Sequence, residues 1–291
     1  MADLLETKAT DSLEGELFNI TRPDKTLSEV ILSPENRFKV KQLILEIKNW
    51  ILLDRSYYYP KKKVLFFGPP GCGKTSTAKA LASELAVPLM QVRYDAIVSA
   101  CLAESSSMSI KRMLDFAKES RYVILFDEFD AIARSRGDLR ENAEVKEVVN
   151  SLLQQIDTFR GHSVIVAATN CEQCLDSAMW RRFDGIFRFD MPNETERKQL
   201  FELRMLNFYG ESGLINEFLP QMNEFSHADV EKVALGVIKA CILEGRIVYT
   251  KEDVEKAFYC QKELVSLRKT RYSRRINISE YFREPQSALD C

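Results

Sequence analysis

The pattern of apolar and polar positions divides this 291-residue chain into two stretches of different character. Up to about Pro192, short apolar runs at 64–67, 88–93, 122–127, 163–168 and 185–190 read as buried strands. Segments with helical spacing separate them at about 74–86, 105–119 and 139–158, and Val40 to Leu53 (VKQLILEIKNWILL) forms an apolar helix ahead of the first run. Strands alternating with helices predict a three-layer α/β domain around a parallel sheet, whose ligands sit at the carboxyl ends of the strands. Beyond Pro192 the strand signals stop. Residues 193–206, 214–224, 227–243 and 251–267 each read as amphipathic helix, with Ser226 as an N-cap and Gly245 as a helix stop. The expected organisation is a polar, weakly periodic arm at 1–26, an α/β domain at 27–193, a small all-α domain at 194–267 and a basic tail at 268–291.

Composition narrows the class without naming it. With 45% hydrophobic and 29% charged residues, the chain has the make-up of an ordinary globular protein with ample core. A formal net charge of −2 gives no global attraction to nucleic acid or anionic membrane. No apolar run approaches the ~20 residues that cross a bilayer, and the acidic N-terminus lacks a signal-peptide core. Seven cysteines, scattered and odd in number, suit a reducing cytoplasmic setting better than a disulfide scaffold. Cys171-Glu172-Gln173-Cys174 is a C-x-x-C, but no second pair follows and the histidines are His162 and His227 only, so it lacks the four ligands of a structural zinc site. It is read as carrying no metal or redox role.

Chemistry enters at Gly68 to Thr75, GPPGCGKT, which fills the pattern G-x-x-x-x-G-K-[ST] between a predicted strand and a predicted helix. In that context the backbone of Pro69, Pro70, Gly71, Cys72, Gly73 and Ser76 wraps nucleotide phosphates, and the helix N-terminus adds its positive end. Lys74 would reach the β- and γ-phosphates of ATP, and the Thr75 hydroxyl would ligate Mg²⁺. A Gly/Pro turn with no ligand would leave the coincidence of every motif position unexplained. The run RYVILFDEFD (121–130) delivers two adjacent carboxylates to a strand end. Asp127 is the candidate to hold Mg²⁺ through water, and Glu128 to orient and polarise the attacking water. A third strand ends in Thr169-Asn170, whose amide can position the lytic water. Arg181 and Arg182 stand at a predicted helix end; guanidinium groups there can pair with helix carbonyls or stabilise charge on a transferring phosphoryl group, including from a neighbouring subunit.

GPPGCGKT, VILFDEFDAIARSRG, VVNSLLQQID, AATN and SAMWRRFDGIFRFDMP occur in an order and at a spacing that resemble the AAA ATPases of the AAA+ superfamily, the clade of FtsH, katanin and the proteasomal ATPases. The resemblance runs from about Leu27 to Gln261. It implies an α/β ATPase domain with a four-helix lid, assembled as a hexameric ring with ATP sites between subunits. It implies Asn170 as sensor 1 and Arg182 as the arginine finger acting in trans. Ser226-His227-Ala228-Asp229 resembles the family's S-G-A-D lid motif, which places Ala228 near the adenine, with His227 in the glycine position.

Other departures bear on function. Gly185 stands where many relatives carry a second arginine, so either Arg182 works alone or Arg181 assists it. The stretch matching the family's substrate-threading loop is Ala100 to Ser105, with Cys101-Leu102-Ala103 in place of aromatic–hydrophobic–glycine. A thiol offers far less surface for gripping a chain than Tyr or Phe. Tyr94 lies upstream and reads as packed at a strand end. The tail concentrates charge around Tyr272 (RKTRYSRR, 268–275), as a solvated helix end, a contact with a neighbouring subunit or a phosphate-binding patch. The leading expectation is an ATP-hydrolysing ring that remodels, unfolds or delivers a protein, with the arm, the pore face or a partner such as a protease supplying recognition. Two alternatives stay open: a DNA-directed ATPase of the loader or transposition-regulator type, and a nucleotide-gated assembly switch.

Overall fold

The computed structural model describes residues 17–93, 106–131, 143–211 and 213–281, with side chains described outside 106–109, 143–148 and 271–281. The Cys101-Leu102-Ala103 stretch and Tyr94 lie outside the described residues. The chain divides into two compact units, Met1–Asp190 and Met191–Cys291.

In the first unit the described residues build a six-stranded sheet: β1 (Phe18–Thr21), β2 (Lys63–Phe67), β3 (Leu89–Val92), β4 (Val123–Phe126), β5 (Val164–Thr169) and β6 (Gly185–Arg188), in the order β1-β3-β4-β5-β2-β6. The pairs from β3 to β6 are parallel. Central strands of such a sheet are covered on both faces, and this is why β4 (VILF) and β5 (VIVAAT) are buried at every position. The edge strands alternate instead: β6 buries Phe187 between exposed neighbours.

Among the described residues the helices of this unit are α1 (Pro34–Lys48), α2 (Trp50–Arg55), α3 (Lys74–Glu84), α4 (Ser106–Glu119), α5 (Ala143–Thr158) and α6 (Ser177–Trp180). Ser33 caps α1 by accepting from Asn36 N, with Pro34 at the position where a missing N–H costs nothing. One apolar helix predicted over 40–53 is thus two, α1 and α2, joined at Asn49.

The arm expected over residues 1–26 is corrected at its C-terminal end. Phe18–Thr21 pairs antiparallel with β3, Phe18 opposite Val92, and Phe18 is fully buried. Four residues with a single large apolar anchor are too short to register as a periodic signal. The sheet is therefore parallel except at this edge.

The second unit holds α7 (Glu194–Arg204), α8 (His227–Leu243) and α9 (Lys251–Tyr281), with two 3₁₀ turns at Leu214–Glu217 and Leu219–Met222. Those turns replace the helix expected over 214–224. Pro220 lacks an N–H and disfavours helical geometry at Leu219, so a continuous α-helix does not propagate through it. Phe218, Phe225 and Phe258 pack together in the core of this unit. Ser226 and Asp229 form a reciprocal capping box on α8, and Gly245, at φ +67°, follows the helix end. The boundary expected at 267/268 falls inside α9, which continues to Tyr281. Arg268 pairs with Asp229 and Lys269 with Glu224, so the start of the basic cluster is tied to its own unit.

Candidate nucleotide site

The strand order sets the site. β4, β5 and β2 are consecutive neighbours, so the segments leaving their carboxyl ends emerge side by side: Asp127-Glu128 after β4, Asn170 after β5 and Gly68 after β2. In the β2–β5 register Phe67 faces Thr169, and the pairing extends one step further through Gly68 N to Thr169 O at 3.3 Å.

The loop from Gly68 to Gly73 needs its glycines. Gly68 sits at φ +139°, and a Cβ there would lie 1.9 Å from the Phe189 carbonyl oxygen. Gly73, at φ +91°, turns the chain into α3, which begins at Lys74. Pro69, Pro70 and Gly71 are exposed while Cys72 is buried beneath them. The Lys74 ammonium is buried and donates to the carbonyls of Gly68 (2.7 Å) and Pro69 (2.8 Å). Burial pulls its pKa below the ordinary lysine value, against the opposing influence of Cys72, Asp127 and Asp130. A buried cation facing loop carbonyls is poised to exchange them for anionic oxygens. Ser76 accepts from Lys25 Nζ at 3.4 Å, a contact from the segment expected to be a free arm.

Thr75 Oγ1 donates to Asp127 Oδ2 at 2.8 Å, joining two residues 52 positions apart. The other Asp127 oxygen accepts from Glu128 N at 3.0 Å. Glu128 has φ +52°, a left-handed backbone that side chains rarely adopt, and its carboxylate is exposed. The next residue holds this turn: Phe129 is fully buried and meets Phe126 and Phe183 edge-on. Strand burial on one side and the Phe129 anchor on the other leave the two carboxylates at the surface between them.

Asp130 is a member of the site that the sequence reading missed. Its Oδ1 accepts from Thr169 Oγ1 and from Asn170 N, each at 3.3 Å, and so links the turn after β4 to the end of β5. In the sequence it is one acidic residue among several, with nothing to mark its partner 40 positions away. The Asn170 side chain is exposed beside this link.

The two arginines part company. Arg181 is exposed at the end of α6. Arg182 is held within its own unit: Nη1 donates to Leu153 O at 3.0 Å and forms an ion pair with Asp157, both on α5, while its Nε is buried without a partner. Ala228 belongs to the second unit, half-buried in the first turn of α8 between His227 and Asp229. Burial pushes the His227 pKa down to about 4, which keeps the ring neutral near pH 7, and its Nδ1 is buried without a partner.

The C-x-x-C reading is also corrected. Cys171 and Cys174 are joined by a disulfide across the 3₁₀ turn Glu172–Cys174 that follows Asn170. That turn brings the Cα atoms to 5.4 Å, within the range a disulfide spans.

A glycine loop between strand and helix, a buried lysine at its mouth and a hydroxyl–carboxylate pair define a P-loop nucleotide-binding class of protein. Comparison with known proteins narrows this class. Residues 64–191 match the model of the ATPase family associated with various cellular activities (AAA). An uncharacterised AAA family ATPase of Sinorhizobium fredii is 35% identical over 240 residues, covering 81% of this chain and 71% of that protein. The proteasome-activating nucleotidase of Saccharolobus solfataricus is 31% identical over 247 residues, covering 82% of this chain and 63% of its own length. The AAA domain of FIGL-1 shares the fold, with a TM-score of 0.68 at 18% identity over 91% of this chain and 95% of that one. The chain belongs to the AAA family and is an ATPase.

Proposed function

We propose that this ATPase assembles as a ring and spends ATP hydrolysis on remodelling or delivering a protein. The observation that carries the site's part in this is the Thr75–Asp127 hydrogen bond at the ends of α3 and β4, beside the buried Lys74. A hydroxyl and a carboxylate oxygen 2.8 Å apart are hard donors of the kind Mg²⁺ accepts while keeping several waters. The donor set thus fits Mg²⁺: Thr75 and Asp127 would hold it, and it would offset negative charge on the phosphates. Lys74 and the N–H groups of residues 71–76 hold the phosphates. Glu128, exposed at the strand end, orients and deprotonates water, and Asn170 positions that water from the neighbouring strand. Arg182 or Arg181 acts on the site of an adjacent subunit. In this reading the second unit serves as the helical lid and contributes Ala228 to nucleotide binding.

The protein-directed reading draws on the likeness to proteasome-activating nucleotidases, which also favours a protease as partner and a hexameric, cytoplasmic assembly. Among the described residues no helix is long and apolar enough to cross a membrane. The DNA-directed alternative loses ground because Arg268 and Lys269, the first two charges of the basic cluster, are paired with Asp229 and Glu224. Steady-state hydrolysis with an unfolded polypeptide, single-stranded DNA or duplex DNA as stimulant separates the readings. Stimulation by polypeptide alone is expected; stimulation by DNA alone would overturn the proposal.

A further inference from the structure

We propose that Cys171 and Cys174 are a redox pair that sets the turnover rate by fixing Asn170. This rests on the reading of Asn170 as the residue that positions water. Thr169 closes β5, and its hydroxyl is a junction: its one proton is shared between Asp130 Oδ1 (3.3 Å) and Cys171 O (3.4 Å), and its oxygen accepts from Cys171 N (3.1 Å). Asn170 lies between that junction and the first cysteine, with its own N–H on Asp130. Beyond the second cysteine, Leu175 is buried and its carbonyl accepts from Trp180 Nε1 at 3.2 Å. The chain is therefore anchored at Thr169 in the sheet and at Leu175 in the core. The disulfide closes the short turn between these anchors. It is one residue from Asn170 and, through Asp130, three residues from Asp127.

The pair is also reachable. Glu172 and Gln173 are exposed, and both cysteines are half-buried rather than enclosed, whereas Cys72 and Cys241 are buried. The oxidant we name is a small-molecule disulfide. A thiolate of the pair attacks one sulfur of that molecule, forming a mixed disulfide and releasing one small thiol. The second cysteine thiolate then attacks the protein sulfur of the mixed disulfide, forming the Cys171–Cys174 bond and releasing a second small thiol. The protein gives up two electrons, the added disulfide takes them, and the two thiol protons end on the released thiols. Reduction by a dithiol runs the same exchange backwards.

With the bond closed, Asn170 is preorganised beside Asp130; with it open, the turn between Thr169 and Leu175 gains conformations in which the amide is misplaced. Positioning of this kind acts on the chemical step and leaves ATP binding alone. The oxidised enzyme is then the faster one. Cys171 and Cys174 act through Asn170, as positioning residues.

The test equilibrates the full-length protein with oxidised glutathione or with dithiothreitol, maps its thiols by alkylation and mass spectrometry, and measures kcat and KM for ATP in each state. The expected result is a Cys171–Cys174 bond in the oxidised sample, a kcat about three- to tenfold above that of the reduced sample and a KM unchanged within about twofold. Cys171→Ser/Cys174→Ser should turn over at the reduced rate in both buffers; Cys174→Ala serves if the double variant does not fold. Failure to form the bond, equal kcat in the two states, or a slower oxidised enzyme would overturn the proposal. A difference that persists without the pair would also overturn it and would point to another cysteine such as Cys72. Asn170→Ala, measured alongside, separates the two layers. If it is slow while the redox states are equal, only the redox pair is wrong; if it turns over normally, the reading of Asn170 is wrong as well.

Discussion

Glu128 combines an exposed carboxylate with a left-handed backbone, φ +52°, that a glycine would occupy without strain. Such a conformation costs on the order of 1 kcal/mol at a residue with a Cβ. Keeping a glutamate there makes sense if its carboxylate is needed for chemistry. Glu128→Gly should therefore raise the stability to urea by about 1 kcal/mol while removing turnover. Glu128→Gln should retain ATP and lower kcat by roughly 10²–10⁴; hydrolysis at the original rate would remove Glu128 from its role. Gly68 makes the opposite demand, because any side chain runs into the Phe189 carbonyl. Gly68→Ala should cost on the order of 3 kcal/mol in a denaturant titration. His227 gives a pH signature. Burial is the sole influence on it and brings its pKa to about 4 in the folded chain. The unfolded chain takes up that proton near pH 6.5, so stability is lost as pH falls from about 6.5 towards 4, by up to roughly 3 kcal/mol. His227→Gln should flatten the stability curve in that window. At this scale the placement of Lys74, Thr75, Asp127, Glu128 and Asn170 at neighbouring strand and helix ends was legible because each stands at a fixed place relative to a motif or a strand end. Asp130 and Asp157 were not, since their importance lies in partners far along the chain, Asn170 and Arg182.

Among the elements, the central strands were legible because burial on both faces turns them into unbroken apolar runs. β1 was hidden by its length and by an edge position that asks for only one well-buried residue, Phe18. The turns around Pro220 were overlooked because amphipathic spacing outvoted the one residue that breaks it. α9 shows a longer-range effect. Its start is fixed by Asp253, which accepts from Thr250 N (2.7 Å) and Thr250 Oγ1 (2.8 Å) and takes Arg246 on both oxygens, at 2.7 and 2.8 Å. The Arg246 hydrogen bond holds the Asp253 carboxyl well below the usual carboxylate range. A depressed acid contributes stability above its unfolded pKa, near 4, and loses it as pH falls through the folded value. Asp253→Asn should weaken the helical unit at pH 7 and make its melting less sensitive to acid below about pH 4. Thermal melts at several pH values check both effects.

For the molecule as a whole, the open question is how a site built from one chain is completed. The P-loop, the β4 carboxylates and Asn170 all come from the first unit, and neither Arg181 nor Arg182 is bonded to them. Arg182 is held by Asp157 and Leu153, and Arg181 is exposed. On the proposal made above, an arginine from a neighbouring subunit would meet this need and tie turnover to assembly. Arg182→Ala should then lower kcat on the order of 10³-fold with little change in nucleotide affinity. If Arg181→Ala is the damaging change instead, the exposed arginine is the one that acts in trans. The most direct measurement is the rate of ATP hydrolysis per subunit across a wide range of protein concentration. The expected result is a rate that rises steeply and then levels off as assembly completes the sites. A rate per subunit that stays constant down to concentrations at which the protein is monomeric would contradict shared sites and leave each chain a self-sufficient ATPase.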